Sequence, residues 1–148
     1  KKRQERQVIG KASKFYLFDV GVAGALAGRR IREERGEAFG RALEHFVLME
    51  ILAHRSYREL DYGVHFWRTK SGLEVDFVLG DGEVALEVKG TSRTDPSDLR
   101  SLRAFTEDNR PRRALLVCNE PAPRVVDGVE VLPWREFLAR LWAGDVLR

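Results

Sequence analysis

Two acidic residues, Asp76 and Glu87, lie in two short β-rich segments that a turn connects. The Asp81-Gly82 pair between the segments is typical of a hairpin, because glycine accepts the positive φ that a type I′ turn requires. With this pair at the centre of the turn, Asp76 falls directly opposite Glu87. Side chains so opposed have Cβ atoms about 4.5–5.5 Å apart, and like charges there are destabilising. A cation between the two carboxylates would remove that repulsion.

Divalent metal chemistry is the simplest interpretation of this pair. Carboxylate oxygens suit Mg²⁺, which retains several of its waters, and Mn²⁺ is the second candidate. Lys89 follows Glu87 by two residues on the same face, where it could hold a water or neutralise charge on a phosphate. Alternation places Glu74 opposite Lys89 on this polar face. The opposite face is then predicted to be apolar, with Val75, Phe77, Leu79, Val84, Leu86 and Val88.

A salt-bridge network would explain the same residues without a metal. In that alternative Lys89 pairs with Glu74 across the ladder, and a nearby arginine neutralises Asp76. Surface ion pairs of this kind are common and contribute about 0–1 kcal/mol each. The hairpin alone leaves both interpretations open.

A long amphipathic helix precedes the hairpin, with its pattern running from Glu37 to about Arg55. On a helical wheel, Glu44 lies at the edge of the apolar face and Glu50 lies near its middle. Carboxylates on buried faces need a partner, and we expect a buried arginine for Glu50. Glu44 is either an exposed flank residue or a third residue of the acidic site. Gly40 lowers helix stability one turn before Glu44 and predicts a close approach there.

The remaining patterns predict an α/β domain, with a central mixed sheet flanked by helices. The predicted elements are a strand at 14–20, a short helix at 22–27, a charged connector at 29–35, a strand at 63–69, a turn at 70–72, a helix from Thr94 or Asp95 to about Thr106, a strand at 113–118, a two-part strand at 125–132 around Asp127-Gly128, and a helix at 133–142.

Composition indicates one soluble domain that can form a core. The chain has 148 residues, of which 43% are hydrophobic and 33% charged, with a net charge of +3. It contains no signal peptide and no apolar run long enough to span a membrane. The lone Cys118 lies in an apolar run and is expected to be buried, so no internal disulfide forms. These features predict a cytoplasmic protein.

Residues 1–13 are expected to be a linker or the tail of a preceding domain, with the domain itself at 14–148. The chain starts without a methionine, which favours a piece of a longer protein. Basic groups at 1–14, 29–35 and 110–113 could contact phosphates, but a solvated surface explains each of them as well. His45, His54 and His65 show no metal-ligand spacing with Cys118, and there is no phosphate-binding glycine loop.

A helix glutamate, then an aspartate, then Glu-x-Lys resembles the PD-(D/E)xK nuclease superfamily. The matching residues are Glu44, Asp76, Glu87 and Lys89, while Val75 stands where the superfamily name has proline. A closer resemblance is to the uncharacterised nuclease-like domain at the C-terminus of many predicted bacterial and archaeal AAA+ ATPases. It is carried by the segments at 14–21, 36–44, 66–68, 74–77 and 87–89, and it covers roughly residues 14–118.

The resemblance implies a restriction-endonuclease-like core and a metal-dependent phosphodiesterase acting on nucleic acid, in the first place DNA. It implies that Asp76, Glu87 and the backbone carbonyl of Val88 bind Mg²⁺ or Mn²⁺. Glu44 would act through water or at a second metal, and Lys89 would orient the attacking water or stabilise the phosphate. The implied partners are DNA and an N-terminal ATPase domain, with no membrane. The alternative is a catalytically silent module that binds DNA or a protein, or regulates the ATPase.

Overall fold

The computed structural model of the chain describes residues 7–11 and 36–147. The strand, short helix and connector predicted between residues 14 and 35 lie outside these residues. The described elements, in chain order, are β1 (Gln7–Lys11), α1 (Gly36–Tyr57), β2 (Val64–Thr69), β3 (Glu74–Leu79), β4 (Val84–Val88), a 3₁₀ turn (Pro96–Leu99), α2 (Arg100–Asn109), β5 (Arg113–Cys118), β6 (Arg124–Val126), β7 (Val129–Pro133) and α3 (Trp134–Trp142).

The strands form one mixed sheet in the order β1-β2-β3-β4-β5-β7-β6. Strands β1 to β4 pair antiparallel, β4, β5 and β7 pair parallel, and β6 returns antiparallel on β7. The prediction of an α/β domain with a central mixed sheet is confirmed. Residues 7–11, which we expected in a linker or in the tail of a preceding domain, form the edge strand β1 of this sheet.

Helices cover both faces of the sheet and divide the core into two layers. Helices α1 and α3 pack on one face, with α1 contributing Leu43, Val47 and Ile51. The other face is covered by α2 and the 3₁₀ turn. Among the described residues, the largest fully buried side chains are Trp67, Phe77, Phe105 and Phe137. Each large apolar side chain buried in this way contributes about 1.5–3 kcal/mol, so both layers stabilise the sheet that carries the acidic residues.

The entry to α2 follows its predicted cap. The carboxylate of Asp95 accepts a hydrogen bond from the backbone N–H of Ser97 at 2.9 Å. Asp98 reciprocates, because its Oδ2 accepts from the backbone N–H of Asp95 at 2.9 Å. This capping box satisfies donors that a helix start leaves unpaired, and it fixes Asp98 just beyond the end of β4.

Cys118 is fully buried, as predicted. Burial raises the pKa of its thiol to about 11. The thiolate is therefore scarce at neutral pH, and Cys118 acts as a small core residue.

The hairpin of β3 and β4 has the predicted register but a different turn. Leu79 pairs with Val84, and Phe77 pairs with Leu86. The positive φ values fall on Gly80 (69°) and Gly82 (78°), whereas Asp81 is not among the described residues with positive φ. The type I′ turn centred on Asp81-Gly82 was therefore wrong. The chain places both left-handed positions on glycines, which adopt them without a Cβ clash.

A β-bulge interrupts the pairing of β3 with β2. His65 pairs with Val78 and Trp67 pairs with Val75, so one residue of β2 faces two residues of β3. The two are Asp76 and Phe77. The predicted alternation was wrong at this point, because Val75 packs in the layer under α2 while Phe77 packs under α1. The extra residue shifts the facing of β3 at Asp76.

Candidate functional site

The bulge turns Asp76 toward the end of β4. Its Oδ2 accepts a hydrogen bond from the backbone N–H of Val88 at 2.8 Å. The pairing of β3 with β4 ends at Phe77 and Leu86. We had expected Asp76 to pair with Glu87 in this ladder, and that prediction was wrong. The carboxylate instead occupies the place where a backbone acceptor of β3 would continue the ladder.

Asp76 and Glu87 nevertheless act on each other electrostatically. Burial raises the pKa of Glu87 to about 9, and the charge of Asp76 is the next largest cause. Burial also raises the pKa of Asp76 to about 7, followed by the charge of Glu44 on α1, while the Val88 hydrogen bond opposes the shift. Lys89 lowers both pKa values without cancelling the burial effect. The two acids, with Glu44, therefore form one electrostatic group.

A cleft of about 490 Å³ opens beside this group, between the first turns of α1 and the segment that follows β4. Glu44, Val88 and Lys89, all predicted from the sequence, line it. So does Asp98, which the sequence reasoning missed, although its charge also raises the pKa of Glu87. Because α1 and β4 are separated along the chain by the whole of β2 and β3, only the fold brings these residues together.

Two glycines allow α1 to approach the end of β4. A Cβ added to Gly90 would lie 2.8 Å from the Cα of Gly40, whereas one added to Gly40 would meet Gly90 only at 3.7 Å. The prediction that Gly40 marks a close approach is confirmed, with Gly90 as the residue that has no room for a side chain. This contact holds Glu44, one turn further along α1, beside the cleft.

The ion pairs that the salt-bridge alternative requires, Lys89 with Glu74 and an arginine with Asp76, are not found among the described residues. Glu74 is bound by Arg68, at 3.0 Å between Oε1 and Nε, and not by Lys89 as that alternative requires. Within the described residues, none of the ion pairs involves Asp76, Glu87 or Lys89. Among the described residues, no arginine or lysine therefore forms an ion pair with either acid, although the charge of Lys89 lowers both pKa values.

Glu50 has a structural partner of another kind than predicted. Its Oε2 accepts a hydrogen bond from the indole N–H of Trp142 at 2.8 Å. The expected arginine is thus replaced by a residue of α3. This bond ties α1 to α3, and Glu50 is not among the residues that line the cleft.

A polar network behind the cleft fixes the segment after β4. The carboxylate of Glu120 accepts from the backbone N–H of Thr94 at 3.2 Å and also from its hydroxyl, while Arg124 donates to it through Nε at 2.8 Å. The Arg124 guanidinium is the largest cause that lowers the pKa of Glu120, to about 2. The N–H of Asn119 donates to the carbonyl of Thr91 at 2.9 Å. No sequence pattern signals this network, because its partners lie on different elements.

The donor set fits a hard divalent cation held by few protein ligands. In the ranges that the structure describes, no three His, Cys, Asp or Glu side chains are grouped closely enough to hold a metal together. Mg²⁺ is commonly held by one or two carboxylates, with waters and substrate phosphates completing its shell. Asp76 and Glu87 match that pattern, since both supply carboxylate oxygens and neither has an ion-pair partner among the described residues.

No helix in the described part of the chain combines the length and apolar character that crossing a membrane requires.

A family model described as a domain of unknown function, DUF4143, matches residues 39–137. No curated protein and no solved structure matches the chain. The matched residues run from the first turn of α1 to the middle of α3 and contain every residue of the cleft's acidic group. The match spans more than half of the sequence, and the chain therefore belongs to the DUF4143 family.

Proposed function

We propose that this domain is a metal-dependent phosphodiesterase that acts on DNA. One observation carries the proposal. Glu87 is buried and Asp76 half-buried. The charge of Asp76 raises the pKa of Glu87, neither acid has an ion-pair partner in the described residues, and Lys89 and Glu44 line the cleft beside them. Keeping two such acids together costs stability. A fold that retains them gains from a ligand that neutralises both, and a cation that also binds phosphate is such a ligand.

The residues have distinct roles in this proposal. Asp76, Glu87 and the carbonyl of Val88 would hold Mg²⁺ or Mn²⁺, and Glu44 would act through water. When bound, the metal supplies a lowered pKa for its water and polarises the phosphate. Lys89 would orient the attacking water or neutralise charge on the phosphate oxygens. The Val88 N–H orients the Asp76 carboxylate, and the Gly40–Gly90 contact keeps α1 close enough for Glu44 to take part.

The order of the acidic elements supports this function over a purely structural role. A helix carrying Glu44 precedes a hairpin carrying Asp76 and Glu87-Val88-Lys89, which is the arrangement expected from the resemblance to PD-(D/E)xK nucleases. By the same resemblance we propose an N-terminal AAA+ ATPase as the partner domain. It would deliver or position DNA, while the cleft would perform hydrolysis.

A second candidate is a catalytically silent module that binds DNA or a protein, or regulates the ATPase. One specific observation favours it. The Oδ2 of Asp76 is already used by the Val88 N–H, and no group of three ligands exists among the described residues. In this candidate the acids would tune binding and would not support hydrolysis.

Calorimetric titration with Mn²⁺ tests the metal site directly. We expect binding heat with the unaltered protein and little with Asp76→Asn or Glu87→Gln. Glu74→Gln is the matched control, because Glu74 is an exposed acid of the same strand that already pairs with Arg68. Equal heats in all four proteins would count against a metal at Asp76 and Glu87.

Hydrolysis is tested separately with linear, nicked and branched DNA in the presence of Mn²⁺. Cleavage that Lys89→Ala abolishes, with DNA binding retained, supports the phosphodiesterase. Binding without cleavage, under conditions where Mn²⁺ binds, supports the silent module.

A further inference from the structure

Three exposed cations lie in segments that the sheet topology brings to the end where β3 begins and β4 ends. Lys70 lies in the turn between β2 and β3, Arg93 in the loop after β4, and Arg100 at the first residue of α2. The hydroxyl of Ser101, next to Arg100, accepts a hydrogen bond from the N–H of Glu74 at 3.3 Å. This contact ties the start of α2 to the start of β3. We call Lys70, Arg93 and Arg100 the basic rim.

The basic rim differs from its arginine neighbours in having no anionic partner in the described residues. Neighbouring exposed arginines each pair with an acid: Arg41 with Glu37 at 2.8 Å, Arg68 with Glu74 at 3.0 Å, and Arg103 with Asp127 at 3.4 Å. None of the described ion pairs or side-chain hydrogen bonds engages a rim side chain. Nor does the rim neutralise the acidic group, because Lys89 is the cation whose charge acts on Asp76 and Glu87 among the described residues.

Solvent-exposed cations without an ion-pair partner in the described residues, at the same end of the sheet as the proposed catalytic centre, fit a polyanion that lies across this end. Arginine binds phosphate oxygens in pairs through its planar fork, and lysine binds them as a point charge. We infer that the basic rim binds the phosphate backbone of a nucleic acid on either side of the position that the cleft would cleave. This inference rests on the proposed function for its orientation, but it concerns binding and not chemistry.

The inference predicts a defined loss of salt dependence. Each phosphate that a protein neutralises contributes about −0.9 to the slope of log K against log salt for duplex DNA, and about −0.7 for a single strand. Removing Arg93 and Arg100 should therefore flatten the slope by about 1.8 with duplex DNA and by about 1.4 with a single strand. The size of the change identifies which form lies on the rim.

Fluorescence anisotropy with labelled duplex and single-stranded oligonucleotides, in EDTA, measures these slopes where metal-dependent cleavage cannot occur. The variants are Arg93→Gln with Arg100→Gln, and the same pair with Lys70→Gln. The control is Arg58→Gln with Arg110→Asn, two exposed arginines that follow the C-terminal ends of α1 and α2. Arg58 donates to the carbonyl of Trp142 at 2.7 Å, so the fold of this variant is checked by its unfolding temperature. Asparagine is chosen because Arg110 has a φ of 48°, which asparagine tolerates.

We expect a flatter slope and weaker binding from the rim variants alone. An equal change from the control pair, an unchanged slope, or no nucleic acid binding by the unaltered protein overturns the inference. A parallel cleavage assay with Mn²⁺ keeps the two ideas separate. Binding through the rim without cleavage leaves the inference standing and removes the proposed hydrolysis. Cleavage that depends on Glu87, with unchanged slopes in the rim variants, supports the proposed hydrolysis and overturns the inference about the basic rim.

Discussion

The carboxylate of Asp76 accepts the backbone N–H of Val88 at 2.8 Å, across the gap between two neighbouring strands. The Asp76 side chain thus provides the acceptor for the Val88 N–H at the point where the bulge in β3 ends the pairing of the two strands. The same bond orients Asp76 beside Glu87, the residue just before Val88. The hydrogen bond between Asp76 and Val88 therefore serves both the stability of the sheet and the proposed metal site. Different substitutions at Asp76 can test the two roles separately.

Replacing Asp76 by asparagine should lower the free energy of unfolding less than replacing it by alanine. Asparagine keeps a carbonyl oxygen for the Val88 N–H, whereas alanine leaves that donor without an acceptor, at a cost of about 1–3 kcal/mol. We expect Asp76→Ala to be less stable than Asp76→Asn by this amount in urea unfolding. Amide exchange at Val88 should also be faster in the alanine variant. Equal stabilities of the two variants would show that the hydrogen bond contributes little.

Neutralising Glu87 should stabilise the domain at alkaline pH. Its pKa is raised in the folded state from 4.5 to about 9, and that of Asp76 from 3.8 to about 7. Groups with raised folded pKa values favour folding while protonated. Their contribution is complete below the unfolded pKa values and is lost as pH rises through the folded ones. The free energy of unfolding should therefore fall between about pH 5 and pH 9.

Glu87→Gln should reduce that fall and raise stability at pH 9 by about 1 kcal/mol or more, since one pKa unit corresponds to about 1.4 kcal/mol. Unfolding curves at pH 5 and pH 9 measure the difference, with Glu74→Gln as the control. Destabilisation by Glu87→Gln at pH 9 would indicate that Glu87 takes part in a stabilising ion pair, contrary to the structure. A stability gain together with loss of the proposed Mn²⁺-dependent cleavage would be typical of an active-site residue.

The two glycines between α1 and β4 should respond oppositely to alanine. Gly90→Ala places a methyl group 2.8 Å from the Cα of Gly40, and overpacking of this kind costs about 1–3 kcal/mol. Gly40→Ala meets only ordinary contact at 3.7 Å and gains helix propensity, about 0.8–1 kcal/mol at a helix interior. Thermal unfolding of both variants checks this contrast, and equal destabilisation by the two changes would contradict it.

Glu120→Gln should loosen the wall of the cleft. The Glu120 carboxylate has a lowered pKa, about 2, because Arg124 and Thr94 bind its charged form. Its contribution to stability is present above the unfolded value of 4.5 and is lost as pH falls toward 2. We expect the variant to lose about 1–2 kcal/mol at pH 7 and to show little further loss on acidification from this group. Faster amide exchange at Thr94 would locate the effect in the loop after β4.

Local patterns predicted the elements well because each depends on residues within one turn or strand. The register of β3 with β4 followed from the length of their connection, and the cap at Asp95 from residues next to it. The bulge at Asp76 depends on how β3 meets β2, and no local pattern encodes that pairing. For the same reason the indole of Trp142, distant in sequence, was not foreseen as the partner of Glu50. Residue type and order led to the four candidate site residues, which stay a prediction, whereas Asp98 and the Glu120 network were visible only in the fold.

The bulge also shows how this architecture could lose the proposed metal site in a single genetic event. Deleting the codon for Asp76 would restore strict alternation, since Val75 and Phe77 already face opposite layers. The hydrophobic interior would be preserved while the anionic pair disappeared. Under the proposed function, a homologous chain shortened by one residue at this point would lack the metal site, and an alignment would show directly whether such chains occur.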